Sequence, residues 1–172
     1  MKKLSYLLIH LLLMLMLVTN IDSKKEEVVP FSNSWGNFYT WHDCSLGRKE
    51  IIKISKELKK PVMWILFWTS CSACYHLQST FKISNEIQRL SKNFMFVNCE
   101  GNDIPDDKDF ILDGEYSPKI IFTDINGTVK SEIYNKHELA KSEYKYYYVD
   151  AGMLEESMRD AAILLHGEKA EL

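Results

Sequence analysis

The chain has 172 residues, 46% hydrophobic and 26% charged, with a formal net charge of -3. That is one domain's worth of sequence with enough apolar material for a core. Mild acidity with scattered Lys and Arg excludes the basic face of a nucleic-acid binder, and neither internal repeats nor low-complexity tracts occur.

Met1-Lys2-Lys3 precedes a Leu-rich run from Leu4 to Val18, which contains His10 and is shorter than the roughly 18 apolar residues of a membrane span. Followed by the polar stretch Thr19 to Glu27, it reads as a cleavable signal peptide over residues 1–23, cut between Thr19 and Ser23, rather than a signal anchor. The mature chain then has no membrane span and enters an oxidising compartment. Residues 24–34 form a flexible polar arm, 35–166 the folded domain and 167–172 a tail.

Within the domain, Trp35 to Trp41 is expected as a first strand. Asp43 or Ser45 caps a helix running to about Lys59, with Ile51, Ile54 and Leu58 as its buried stripe. After Pro61, the run Val62 to Trp68 is a central strand buried on both faces. The following helix carries Leu77 and Phe81 on one face and is interrupted at Ser84-Asn85 before Ile87 and Leu90. Phe94 to Asn98 is a second buried strand. The acidic segment Glu100 to Asp109 is a solvated loop, since Pro105 and the missing turn glycine exclude an EF-hand. Lys119 to Thr123 is a third buried strand, and Asn126-Gly127 signals a type I′ hairpin into Val129 to Ile133. The aromatics of Tyr144 to Val149 suit core and edge packing, and Asp150 caps a last helix with Leu154, Met158, Ala161 and Leu165 on one face. Strands separated by helices pair in parallel through right-handed crossovers, while the hairpin adds antiparallel strands. The expected fold is α/β: a thioredoxin-like mixed central sheet with helices on both faces.

The chemistry concentrates in Cys71-Ser72-Ala73-Cys74, placed where a buried strand turns into a helix. Two sulfurs three positions apart can close a small ring, and the first faces unpaired N–H groups at the positive end of the helix dipole. Both features favour the thiolate that carries out disulfide exchange. Zinc needs four ligands and finds two here, with Cys44 and Cys99 solitary. Cys71 to Tyr75 also resembles the signature around a papain-type nucleophile, but the chain ends before the distance at which that family places its His and Asn. A purely structural bridge would close a tiny loop that restricts the unfolded chain little. His76 reads as a surface residue, and His42, His137 and His166 lack metal-ligand spacing. No metal or organic cofactor is expected, because the two sulfurs carry the electrons. Asn126-Gly127-Thr128 is an N-glycosylation sequon, although a tight turn explains the Asn-Gly pair without a sugar.

Trp41, Gly47-Arg48-Lys49-Glu50, Cys71-x-Ala73-Cys74, Asn93-Phe94, Val97-Asn98, Pro118, Gly127 and Tyr144-Lys145-Tyr146-x-Tyr148-Val149 together resemble the endoplasmic-reticulum thioredoxin-fold family of thioredoxin domain-containing protein 12 and the anterior gradient proteins. The former is the nearer branch, since both cysteines are present. The resemblance implies Cys71 as attacking thiol, Cys74 as resolving thiol, and Ser117 with a cis Pro118 facing them as the place where client chain pairs. The tail Lys169-Ala170-Glu171-Leu172 is similar to a Lys-Asp-Glu-Leu retrieval signal, implying residence in the endoplasmic reticulum lumen through its retrieval receptor, with partial secretion. Ser70 departs from the family by standing where relatives place Trp, Ser72 where Gly is common, Ile65 where classical thioredoxins bury a carboxylate, and Cys44 and Cys99 where the nearer branch has apolar residues. The expected function is a thiol–disulfide oxidoreductase acting on cysteines and disulfides of client proteins. The alternative is a non-catalytic folding helper or secreted interaction protein of the anterior gradient type, a branch lacking the full cysteine pair. Cys44, just past the end of the first strand, and Cys99, ending the strand after the second helix, should both fall at the carboxyl edge of the sheet, since those strands are expected as parallel neighbours. A structural bridge between them is expected over two buried free thiols.

Overall fold

The computed structural model describes residues 35–36, 38–68, 70–167 and 170. The signal peptide, the arm and, in the tail, residues 168, 169, 171 and 172 lie outside these residues. The sheet is built around β2 (Val62–Phe67), buried along its whole length. It pairs in parallel with β3 (Met95–Glu100) on one side and antiparallel with β4 (Lys119–Thr123) on the other, while β1 (Trp41–Asp43) pairs in parallel with β3. The order is therefore β1-β3-β2-β4. Side chains alternate along each strand, so Met63, Ile65 and Phe67 enter one core while Val62, Trp64 and Leu66 enter the other. The first core is closed by α2 (Ser72–Phe81), α3 (Asn85–Leu90) and α5 (Ala151–His166), through Leu77, Phe81, Ile87, Leu90, Leu154 and Met158. The second lies under α1 (Arg48–Leu58) and the short α4 (Lys108–Ile111), through Ile51 and Phe110. This is the thioredoxin-like mixed sheet with helices on both faces.

The segment between β3 and β4 holds a 3-10 turn over Gly101–Asp103 and the four-residue α4, with no full crossover helix of the kind that joins parallel strands. The chain stays at the carboxyl edge across this segment, so β4 starts beside the end of β2, with Lys119 opposite Leu66, and runs back. The antiparallel strand is thus β4 itself, and Ser117-Pro118 arrives beside the end of β2.

Four local expectations are corrected. The first strand is Trp41–Asp43 rather than Trp35 to Trp41: Gly36 has φ +102, its carbonyl accepts from Trp41 Nε1 at 3.1 Å, and Trp35 wedges between Phe67 and Phe81 instead of pairing. Asp43 caps a 3-10 turn over Cys44–Leu46, and Gly47 at φ +78 separates that turn from the helix beginning at Arg48. Ser55 takes the buried place in the last turn of α1, its hydroxyl donating to the Lys60 carbonyl at 2.6 Å, which leaves Leu58 42% exposed. The Asn-Gly turn is not type I′, which needs positive φ at both central residues; of the two, only Gly127 has it. The Asp124 carboxylate accepts from the Asn126 and Thr128 N–H groups, setting a turn over 124–127 closed by the Gly127 N–H on the Asp124 carbonyl at 2.9 Å. The return segment makes a single bridge, Thr123 to Val129, rather than a strand. A Cβ at 127 would also meet Ile52 Cδ1 at 2.7 Å, so that side chain would have to move to admit one.

The Tyr-rich segment packs as expected: Tyr146 and Tyr148 are buried, Tyr147 bridges Lys119, and the Tyr148 hydroxyl donates to Ser157 Oγ at 2.9 Å. Asp150 caps α5 by accepting from the Met153 N–H.

Candidate functional site

The end of β2, the start of α2 and the start of β4 meet at the carboxyl edge. Trp68, expected in the strand, lies just past it and is 49% exposed. Cys71 is the N-cap of α2, with extended backbone (φ -89, ψ 109), and its Sγ accepts from the Cys74 N–H at 3.1 Å. An N-cap normally satisfies one orphan helix donor with an oxygen; here a sulfur does so, and negative charge on it is favoured by that N–H and by the helix dipole. Cys71 is half-buried, while Cys74 is 2% exposed within the first core. The two are joined, with Cα atoms 5.2 Å apart.

The Ser117-Pro118 peptide is cis. Ser117 touches both sulfurs: its carbonyl oxygen lies 3.5 Å from Cys71 Sγ, and its Oγ lies 3.1 Å from Cys74 Sγ. Ser117 Oγ also accepts from the Trp68 N–H at 3.1 Å, which leaves the hydroxyl proton available for Cys74. Ile65 is fully buried in this face, so no carboxylate lies beneath the pair at that position. Its neighbour across the ladder is Asn98, 1% exposed, whose amide has no hydrogen-bond partner among the described residues.

Cys44 and Cys99 are bonded in the second core, on the opposite face of the sheet, with Cα atoms 4.9 Å apart and S–S 2.08 Å. The expected bridge is therefore present, and the Cys99 end of β3 meets the turn that follows β1. Asn126 is exposed on its turn after β4, at the opposite edge from the sulfurs. His76 is exposed on α2. In the tail, Ala170 packs against the first core, with its N–H on the Gly167 carbonyl.

Sequence reasoning missed Lys119, the residue after the cis proline. It is buried, with Nζ donating to the carbonyls of Ile111 and Gly114 and 3.6 Å from Asp113. Burial pushes its pKa down, and Asp113 opposes that. Asp113 also accepts from the Tyr116 hydroxyl and the Lys145 N–H, so one buried cation ties the loop before β4 to the sheet. The legible signal was a charged residue in step with Ile121 and Thr123 in an otherwise apolar strand.

No family model matches the chain. Among known proteins it is 30% identical over 152 residues to anterior gradient protein 2-B of Xenopus laevis, covering 88% of each chain. It is 31% identical to anterior gradient protein 3 of Mus musculus over 86% of this chain and 87% of that one. With the human anterior gradient protein 2 homolog it shares 29% over 86% and 80%. Among solved structures, a disulphide isomerase from Xylella fastidiosa Temecula1 is similar with a TM-score of 0.38 and 22% identity, over 48% of this chain and 66% of that one.

Proposed function

The chain belongs to the anterior gradient protein family, and on that premise we propose that this member is a protein thiol–disulfide oxidoreductase, working in the manner of thioredoxin domain-containing protein 12. The observation that carries the reading is the unequal sulfur pair, Cys71 half-buried at a helix N-terminus and Cys74 buried behind it, both against Ser117. The reachable Cys71 thiolate attacks one sulfur of a client disulfide. A Cys71–client bond forms, and the other client sulfur leaves as a thiolate and is protonated. Cys74 then gives up its proton and attacks Cys71 Sγ; the Cys71–Cys74 bond closes and the second client thiol departs. Two electrons pass from the pair to the client, and the reverse sequence oxidises a client dithiol. Since Ile65 supplies no carboxylate, the Ser117 hydroxyl is the polar group positioned to stabilise Cys74 as it ionises.

The proposed location is the endoplasmic reticulum lumen, with retrieval by a receptor reading Lys169-Ala170-Glu171-Leu172 and some escape to secretion. Among the described residues, no helix is long and apolar enough to cross a membrane. In that lumen Asn126, exposed on its turn, would be open to glycosylation. Residues appended after Leu172 should raise secretion, and an endoglycosidase shift should vanish in Asn126→Gln.

An insulin-reduction assay tests the activity. Wild type should accelerate reduction, and the Cys71→Ser, Cys74→Ser double variant should fall to the uncatalysed rate. Equal rates would instead favour the peptide-binding helper of the anterior gradient type.

A further inference from the structure

A groove of about 420 Å³ opens at the carboxyl edge, between the end of β2 and the loop before β4. Leu66, Ile104, Phe110 and Ile111 give it an apolar lining, Trp68 walls it, and Ser117 closes the end nearest the sulfurs. Resting on the oxidoreductase reading above, we propose that this groove is a client subsite. It takes a large apolar side chain next to the client cysteine, and its rim favours a Lys or Arg beside that side chain.

Reach comes first. A client sulfur bonded to Cys71 sits against Ser117, whose carbonyl is 3.5 Å from Cys71 Sγ and which also lines the groove. An extended chain advances about 3.3 Å per residue, so the next residue or two of the client fall over the groove. The volume matches the general size of pockets that bury apolar groups. Its walls offer uncovered apolar surface, with Trp68 49% and Ile111 38% exposed, and covering such surface is favourable.

Charge decides what lies beside the apolar group. In the loop, Asp107 and Asp109 are paired with Arg48, and Asp113 with Lys119 and Tyr116. Asp106 and Glu115, which also line the groove, form no ion pair among the described residues. The Lys119 ammonium is turned into the carbonyls of Ile111 and Gly114 beneath the floor, so the rim facing a client is acidic. That same anchoring holds the loop in place before any client arrives, which reduces the ordering that binding must impose.

Two client peptides test the proposal in their disulfide forms: one with Cys-Gly-Leu-Lys, the other with Cys-Gly-Asp-Glu. The first should be reduced with kcat/KM about tenfold higher, mostly through KM, and the preference should shrink as salt rises. In an Asp106→Lys, Glu115→Lys variant the charge preference should invert. Equal rates for the two peptides, or an unchanged preference in that variant, would overturn the subsite. Glutathione disulfide reduction by the wild type reads the sulfur chemistry separately from the groove. A peptide with Ser in place of Cys reads the groove without the chemistry. It should shift the amide resonances of Trp68, Ile104 and Ile111 and leave those of α1 in place; no shift at those three residues would also refute the proposal.

Discussion

Cys44–Cys99 and Cys71–Cys74 both lie where strands end at the carboxyl edge, but on opposite faces of the sheet and with opposite surroundings. Cys44 and Cys99 are buried in the core under α1 and lie 55 residues apart in sequence. Cys71 and Cys74 are three apart, one of them reachable, with Ser117 against both. In the chain-entropy picture the long loop stabilises by about 4 kcal/mol and the short one by about 2. Access runs the other way, since exchange needs a thiolate that can reach the sulfur it attacks. Span and burial thus fit one pair to holding the fold and, under the proposed function, the other to chemistry.

The largest expected effect separates the pairs by activity. Cys71→Ala should reduce insulin turnover to the uncatalysed rate, and Cys74→Ala should accumulate a Cys71–client mixed disulfide visible on non-reducing gels. The Cys44→Ala, Cys99→Ala variant should keep near-normal turnover while folded; a folded variant without turnover would break the comparison. The next effect separates them by stability. Denaturant unfolding should show that double variant less stable by about 4 kcal/mol, against about 2 for loss of the Cys71–Cys74 bridge. Equal losses would mean that loop span does not set the difference.

Ser117→Ala should act on one pair alone. Losing a neutral hydrogen bond is worth about 1 kcal/mol, or about fivefold in rate, so client release by Cys74 should slow by that factor in stopped-flow traces, with Cys71 alkylation little changed. A further effect appears only in alkali. Burial pushes the Tyr39 phenol, on the Cys71–Cys74 face, up to about 12, and Tyr148 upward as well. A folded pKa above the unfolded value gives stability that is complete below about pH 10 and lost as pH rises toward 12. Tyrosinate absorbance should therefore rise together with unfolding, whereas a smooth titration of a folded chain would show these phenols to be open to water.

Much of this was legible because it depends on local pattern. The unbroken apolar run after Pro61 identified the central strand, Asp150 capped its helix, and the positions of Cys44 and Cys99 at strand ends followed from parallel pairing. What the sequence hid was set by tertiary geometry. Trp35 reads like a strand residue but is a wedge against Phe67 and Phe81. The Asn126-Gly127 pair reads as type I′ until the Asp124 carboxylate moves the turn back by one residue. At the site, Cys71 and Cys74 stand out in the sequence, while the contacts of Ser117 depend on β4 running antiparallel, and the role of Lys119 on carbonyls supplied by a distant loop.

Differential alkylation across a series of glutathione buffers tests the central division most directly, with each cysteine mapped by mass spectrometry after equilibration of the folded protein. Cys71 and Cys74 should move together from joined to labelled within the range of the buffers, while Cys44 and Cys99 stay joined until the chain unfolds. Labelling of Cys44 and Cys99 before Cys71 and Cys74, or a Cys71–Cys74 pair that stays closed in every buffer, would contradict it.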